Sequence, residues 1–546
     1  MDLASAYNRL RDQLQMSLRI LLLRSACLGA ILSSANLYAI TLEEATYTAI
    51  DNSPTVRQAI AKWRENLQNK DISYSAGWKP SIDLAAGIGK EKTYADQGIS
   101  EDTTLTRQEL SLSLTQPLYD GFSTTYDVAR LSNEAEADRW EALVSVENTA
   151  LDVAQVYANV LRYRELVTLA DSNLDAHTRI HSQIKLKSDT GIGRQSDLSQ
   201  INARVSKAYA NRFAAVNNLR DAESNYKNTV GELPPEEMIY PVPDKALLPH
   251  TLEEAISESL AKNPSIEGSK WDVKATENYK KSLRSENAPS IYFVVERTWN
   301  DNIDGSEGQD ADLQAMFRLN YNLYNGGNYK RRKEVATQQK VQASEIRRQT
   351  IRDTELSVRL AWGAYVATTG QKENIKEYVI ATKESQVAYE KQFRLGRRTL
   401  LDLLDSENEL FQARQDYVNA DYDELFSEFR LFNGKGELMR AFRIHRPPLL
   451  GFPDEFEIGQ TAPTGPSPSE ELQQAESTAQ PTVEDAAAVK VSKSPASTST
   501  EDTSTTSVKE QRGTVDIEVQ NATTDDDQTL EKELFLESKK QEGGWQ

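Results

Sequence analysis

The stretch Leu110-Ser111-Leu112-Ser113-Leu114-Thr115-Gln116-Pro117-Leu118-Tyr119-Asp120-Gly121 alternates apolar and polar residues and then stops on a turn signal. Successive side chains of an extended chain point to opposite faces, so Leu110, Leu112 and Leu114 share one face and Ser111, Ser113 and Thr115 the other. An upstream partner is written in the same period by Ile82, Leu84, Ala86 and Ile88. A second pair follows about 205 residues later. Ala315, Phe317, Leu319, Tyr321 and Leu323 alternate with Met316, Arg318, Asn320 and Asn322, and Ile291, Phe293 and Val295 supply the partner. Polar loops, Lys90 to Thr106 and Asn300 to Asp312, join the partners, and aromatic residues (Tyr94, Tyr119, Trp299, Tyr321, Tyr324) gather at the strand ends. Four strands of about ten residues with one apolar face, one polar face and aromatic ends are the pattern of transmembrane β-barrel segments.

Outward from the strands the chain repeats itself. Thr41-Leu42-Glu43-Glu44-Ala45 with Pro54 recurs as Thr251-Leu252-Glu253-Glu254-Ala255 with Pro264, and Leu118-Tyr119-Asp120-Gly121 recurs as Leu323-Tyr324-Asn325-Gly326. Pro80-Ser81-Ile82 returns as Pro289-Ser290-Ile291, and Gly191 with Asp197-Leu198 returns as Gly396 with Asp402-Leu403. Self-similarity at a drifting offset of 210 to 205 divides the body into two repeats, 40–233 and 251–446, joined by a Pro-rich linker at 234–250. Each repeat is expected to open with one helix, at 41–77 and 251–286, to pass through its hairpin, and to end in two long helical tracts. Those tracts are 123–188 and 196–230, then 328–394 and 399–432.

The tracts carry heptads in double rows. Leu143, Val146, Ala150, Val153, Tyr157 and Val160 form one row and Leu151, Ala154, Ala158 and Leu161 a second. The last tract shows Leu403, Leu410, Tyr417 and Leu431 beside Leu404, Phe411, Val418, Leu425 and Phe432. Seven-residue spacing is the coiled-coil period. Rows one residue apart face about 100° apart, so each helix can pack two neighbours, which suits a cylinder better than a two-stranded rod.

The ends differ in kind from the body. Ile20 to Ala39, preceded by Arg19, reads as an export signal cut after Ala39, with Met16 as an alternative start. The one cysteine, Cys27, lies inside it; the residues before it resemble a lipoprotein processing site except that Arg24 stands where Leu is wanted. Residues 447–546 hold 20 acidic and 7 basic residues, a balance of −13 out of the chain's −20. With few apolar clusters they are expected to form a disordered acidic tail.

An acidic chain does not read as a nucleic-acid binder. No segment reaches the ~18 apolar residues of a spanning helix. His177 and His181 sit four apart, but Thr178 follows where a zinc-binding motif has Glu, and no third ligand is in sight. Gly191-Ile192-Gly193 lacks the third Gly and flanking Lys of a phosphate loop. No nucleophile and base arrangement asks for catalysis, so no enzyme, metal or cofactor is expected. Lys330-Arg331-Arg332-Lys333 follows a strand, either as a lipid-phosphate contact or as a solvated helix start.

An open four-stranded sheet cannot stand in a bilayer, where every backbone polar group must be paired. It must close with copies of itself: two give eight strands and a filled interior, three give twelve and a lumen. Residues 40–446 resemble the TolC family of outer-membrane channel proteins. The resemblance is carried by Leu395-Gly396-Arg397-Arg398-Thr399 through Leu401-Asp402-Leu403-Leu404-Asp405, leading into Leu410, Ala413 and Asn419, and by the duplication.

The resemblance implies a homotrimer: a 12-stranded barrel in outer-membrane lipid, four strands per protomer, continued by a helical barrel across the periplasm. It implies a periplasmic adaptor and an inner-membrane ABC or proton-driven transporter as partners, and export of protein or small-molecule cargo. Protein export by type I secretion is the leading reading and drug efflux the alternative; a structural envelope coiled coil is a third, which gives no reason for lipid-compatible strands.

Gly191 and Gly396 would mark the periplasmic hairpin tips. Asp402 and Asp405 would line a cation-favouring constriction, six carboxylates in two rings in a trimer, whose crowding raises some pKa values. Their alternative role is to cap a helix start. Arg398 matches the family's gating arginine and would bond near Ser196, with Asp197 as its acidic partner. Phe393 stands where the family often has a tyrosine that bonds that acid, so the closed state would lack one hydrogen bond.

Overall fold

The computed structural model describes residues 40–94, 102–453 and 465–478. The expected signal with Cys27 and residues 479–546 of the expected tail lie outside them.

Helix α1 (Leu42–Asn52) starts on a capping box in which the Thr41 hydroxyl accepts from the Glu44 N–H and the Glu44 carboxylate accepts from the Thr41 N–H. It stops at Ser53, which caps α2 (Pro54–Trp78). The two-helix start recurs as α5 (Leu252–Lys262), where the Thr251 hydroxyl accepts from the Glu254 N–H, and α6 (Pro264–Ser282), capped by Asn263. The single opening helices expected over 41–77 and 251–286 are therefore each two. Pro54 and Pro264 lack the N–H that would continue a helix and hold Ser53 and Asn263 extended, at ψ 120° and 123°. Past α6 the chain tightens into a 3₁₀ turn at Leu283–Asn287.

Strands β1 (Ser81–Thr93), β2 (Thr103–Tyr119), β3 (Ser290–Asp301), β4 (Gln309–Asp310) and β5 (Leu313–Asn320) form one antiparallel sheet. Its order is β1-β2-β3, with β4 and β5 both on β3. The alternation decides the register. Ile82 stands opposite Leu114, Leu84 opposite Leu112 and Ala86 opposite Leu110; Leu114 in turn meets Val295, which meets Ala315, and Phe293 meets Phe317. One apolar row thus crosses all four strands, while Arg297 stands between Leu112 and Leu313 in the next row and Gln116 opposite Phe293. Most of this face is open to solvent in the chain, with Ile82, Leu84, Ile88, Phe317 and Leu319 all exposed. The first hairpin runs four residues further into its loop on each side than the polar composition suggested, and the last strand ends at Asn320, leaving Tyr321 and Tyr324 beyond it.

Each hairpin feeds a 67-residue helix followed by a 36-residue one: α3 (Ser123–Asp189) and α4 (Gln195–Val230), then α7 (Asn328–Arg394) and α8 (Leu400–Lys435). At 1.5 Å per residue the longer pair reaches about 100 Å. The heptad rows are where the burial is. Leu143, Val146, Ala150, Val153, Tyr157 and Val160 of α3 are all buried, as are both rows of α8. The main core joins α1, α3, the end of α8 and the short α9 (Leu438–Ala441) through Tyr157, Tyr422, Phe429, Phe432 and Phe442. Lys330 to Lys333 form the first turns of α7, where Arg332 pairs with Glu286.

The tail departs from its expectation of disorder in two places. Phe452 packs on Trp140 with ring centroids 4.5 Å apart. Helix α10 (Pro468–Thr478) docks on α7 and α8: Leu472 is buried against Val379, Leu410, Ala413 and Tyr417, while Glu471 pairs with Lys376 at 2.7 Å and Glu476 with Arg414 at 2.6 Å. Composition missed this because a single well-placed leucine between acids that meet fixed cations does not change a hundred-residue average.

Candidate functional site

The far end of the long helices, where α3 turns into α4 and α7 into α8, gathers the residues singled out from the sequence. Both turns use a glycine in the left-handed region, Gly191 at φ +76° and Gly396 at φ +72°. In the second, the Arg397 N–H donates to the Gln392 carbonyl and the Gly396 N–H to that of Phe393, both at 2.9 Å. The first repeats the pattern with Ile192 to Lys187 and Gly191 to Ser188. Two N–H groups folded back onto the last turn satisfy carbonyls that the helix end leaves open, and the conformation demands a residue without a Cβ.

Beneath the turns lies a separate small core. Ile180 and Ile184 of α3, Ile201 of α4, and Leu400, Leu403 and Leu404 of α8 are buried together, with Leu198, Val205 and Phe393 packed against them. Phe393 therefore serves as a core aromatic of the tip, and the Lys187 ammonium sits 5.1 Å from its ring centroid.

The acids do two different jobs. Asp402 closes a capping box: its carboxylate accepts from the Thr399 N–H at 3.1 Å and from the Thr399 hydroxyl at 2.9 Å, while the Asp402 N–H donates back to that hydroxyl. The Thr399 hydroxyl, its N–H and the nearby Arg398 hold the Asp402 carboxyl below its usual range. Within the chain the shift is therefore opposite to the rise expected from crowding, because donors at a helix start favour the charged form. Asp405 reaches across to α4, where its Oδ1 lies 2.8 Å from Arg204 Nη2.

Arg398 does not meet Ser196 or Asp197 within one chain. Its Nε donates to Gln392 Oε1 at 3.0 Å, its guanidinium lies over the Tyr389 ring at 4.3 Å, and Asp402 Oδ2 is 3.9 Å away. Ser196 Oγ instead lies 3.3 Å from Asp197 Oδ1. The structure thus brings Arg398 to Asp402 and leaves the 196–197 pair on the other turn.

Three participants escaped the sequence reading: Arg204, Tyr389 and Gln392. A signal existed for two of them, since Arg204 lies seven residues after Asp197 and Tyr389 four before Phe393, each on the same helical face as a residue already named. His177 is buried with Nδ1 unpartnered, and burial with the Arg204 charge holds its imidazole pKa down. Among the described residues no cluster of three or more His, Cys, Asp or Glu could hold a metal ion, and no helix is long and apolar enough to cross a membrane.

The family described as outer membrane efflux protein matches the chain in two segments, residues 45–232 and 255–436. The outer membrane efflux protein BepC of Brucella suis is 25% identical over 412 residues, 75% of this chain and 88% of that protein. The outer membrane protein TolC of Vibrio cholerae is 25% identical over 422 residues, 76% and 94% of the two chains. Among solved structures, a membrane protein from Pseudomonas aeruginosa superposes with a TM-score of 0.64 at 16% identity, covering 72% of this chain and 90% of its own.

Proposed function

Since the chain belongs to the outer membrane efflux protein family, an outer-membrane channel family whose members extend into the periplasm, we propose that it is the exit duct of a tripartite export system, built as a homotrimer. The observation that carries the reading is the sheet. Its apolar face runs across all four strands along the row Ile82, Leu114, Val295 and Ala315, is interrupted by Arg297 and Gln116 in the neighbouring rows, and is largely open to solvent; its edges, β1 and β5, have no partner strand among the described residues. Unpaired edges are not tolerated in hydrocarbon, so edge β1 of one copy pairs with edge β5 of the next. Three copies make a 12-stranded barrel with a lumen, and the ~100 Å helices continue it across the periplasm to an adaptor and an inner-membrane transporter.

Protein export with an ABC transporter is the cargo reading we put forward. The name of BepC favours small-molecule efflux as the second. Deleting the chain in its host decides between them: loss of a large protein from the culture supernatant supports the first, and a fall in resistance to dyes and bile salts with an unchanged supernatant supports the second. The duct itself is tested by purifying the chain and adding it to a planar bilayer. A trimer with single-channel conductance is expected; a folded monomer without conductance refutes it.

At the tip, Asp402 and Asp405 are proposed to line the narrowest point, and Arg398 to reach Ser196 and Asp197 of a neighbouring copy. Phe393 leaves that closed state one hydrogen bond short. Phe393→Tyr is expected to lower closed-state leakage, by the severalfold that about 1 kcal/mol allows; unchanged leakage removes the idea.

A further inference from the structure

The Asp405–Arg204 pair bears on what the constriction selects. Asp405 is more than half exposed and its guanidinium partner about a quarter exposed, so the carboxylate faces water while the cation is held from behind. Arg204 leaves α4 between Ile201 and Val205, both part of the tip core, and acts on the buried His177 of α3. The ion pair joins α4 to α8. The arrangement belongs to one half only. At the offset of 205 the counterpart of Arg204 is Glu409, which accepts from the Tyr378 hydroxyl and has no part in the tip.

We propose that Arg204 is a selectivity-determining residue: it accompanies every Asp405 into the constriction and makes that ring charge-balanced. The inference rests on the constriction reading given above. A ring of bare carboxylates in a narrow pore favours cations, because low-dielectric walls focus the field of uncompensated charge. Here each Asp405 carries its own guanidinium at 2.8 Å, and Arg398, 3.9 Å from Asp402 within the chain and, on the reading above, directed to the neighbour's Asp197 in the closed state, keeps a second positive charge at the tip. The tip so built discriminates weakly by charge and passes anionic as well as cationic solutes or unfolded chain. An exposed ion pair contributes little to stability, so the guanidinium is dispensable for folding while its charge remains decisive for permeation.

The test is the reversal potential of the purified full-length trimer in a planar bilayer under a KCl gradient. The native channel is expected to reverse near zero. Arg204→Gln is expected to move the reversal potential toward that of K⁺, with a severalfold rise in the K⁺ to Cl⁻ permeability ratio, and Arg204→Lys to restore the native value. Arg204→Met, which keeps the aliphatic stem against Ile201 and Val205, replaces the Gln variant if that one does not assemble. A native reversal potential in the Gln or Met variant, with Asp405→Asn shifted toward anions, overturns the role of Arg204 and leaves the constriction standing. If Asp405→Asn and Asp402→Asn also behave as the native channel, the constriction reading falls with it.

Discussion

Helices α3 and α7 have the same length, follow equivalent hairpins and turn at equivalent glycines, yet α3 buries 21 of its residues and α7 only seven. The apolar residues of α3 find partners inside the chain. On α7 Val358, Ala361 and Val379 do so, but Val335, Val341, Ile346, Leu356, Leu360 and Val366 are half exposed or more. Each side chain of that kind gains about 1.5–3 kcal/mol on full burial, so a row of them left in water is the surface that a neighbouring copy would cover in the proposed trimer. In the proposed trimer the first long helix builds the protomer and the second the assembly.

The contrast breaks most decisively at Val153 and Leu360. Val153→Asp puts a charge into the centre of the main core, where Val153 is fully buried, at a cost of more than about 4 kcal/mol. It is expected to abolish the folded chain. Leu360→Asp changes an exposed position and is expected to leave helical circular dichroism intact while trimers disappear from size-exclusion chromatography. If both variants lose the fold, or both assemble, the division of labour between α3 and α7 is wrong.

A smaller effect follows from a charge that α3 buries. Glu147 is 2% exposed, while its counterpart at the offset of 205, Arg352, is exposed. Burial pushes the Glu147 carboxyl up to about 7, against the pull of Arg446 and of the N–H groups of Met439 and Leu438. The folded state therefore keeps a proton that the unfolded chain, with an ordinary value of 4.5, has released. The stability this group contributes is full below pH 4.5, declines as pH rises through 7 and is flat above it. Glu147→Gln keeps the shape without the charge. Melting temperatures should coincide at pH 4.5 and diverge toward pH 8, with the variant ahead by roughly 3 kcal/mol. Parallel curves across that range would show that Glu147 is not the group that titrates.

Much of this was legible before any coordinates. The heptad rows of 143–160 and 403–432 mark the buried stripes, and the alternation at 110–115 sets a register in which Leu114 meets Ile82 and Val295. Periodicity is readable because one repeating face must be apolar for the element to pack at all. The tip glycines were legible for the same kind of reason, since a left-handed turn restricts the residue that can make it. What was not legible depends on pairing across distant sequence. Arg204 meets Asp405 201 residues away and Glu476 meets Arg414 62 residues away, and no spacing announces either contact. Ser53 and Asn263 show the remaining gap: Pro54 and Pro264 stand out in the sequence as a repeat, but the helix break they impose falls on the residue before each, whose own identity does not announce it.

The two tip turns give the smallest and most local comparison. Helix α8 begins on Thr399 with a complete capping box through Asp402, whereas α4 begins on Arg194 with no side-chain cap. Four N–H groups at each start lack helical partners, and only the second turn supplies side chains for them. Thr399→Ala removes one acceptor and frees the Asp402 carboxylate, at about 1 kcal/mol. Amide exchange at residues 400–404 is expected to quicken about fivefold, with the α4 start unaffected. Arg194→Ser should do the reverse, adding a cap where none exists and slowing exchange at residues 196–198. Because Asp402 is proposed to face the constriction, Thr399→Ala also loosens a carboxylate that the native turn holds still, so added noise in the open-channel current should accompany the faster exchange. Faster exchange without altered current would leave Asp402 a helix cap alone, and the second turn would then differ from the first in stability but not in permeation.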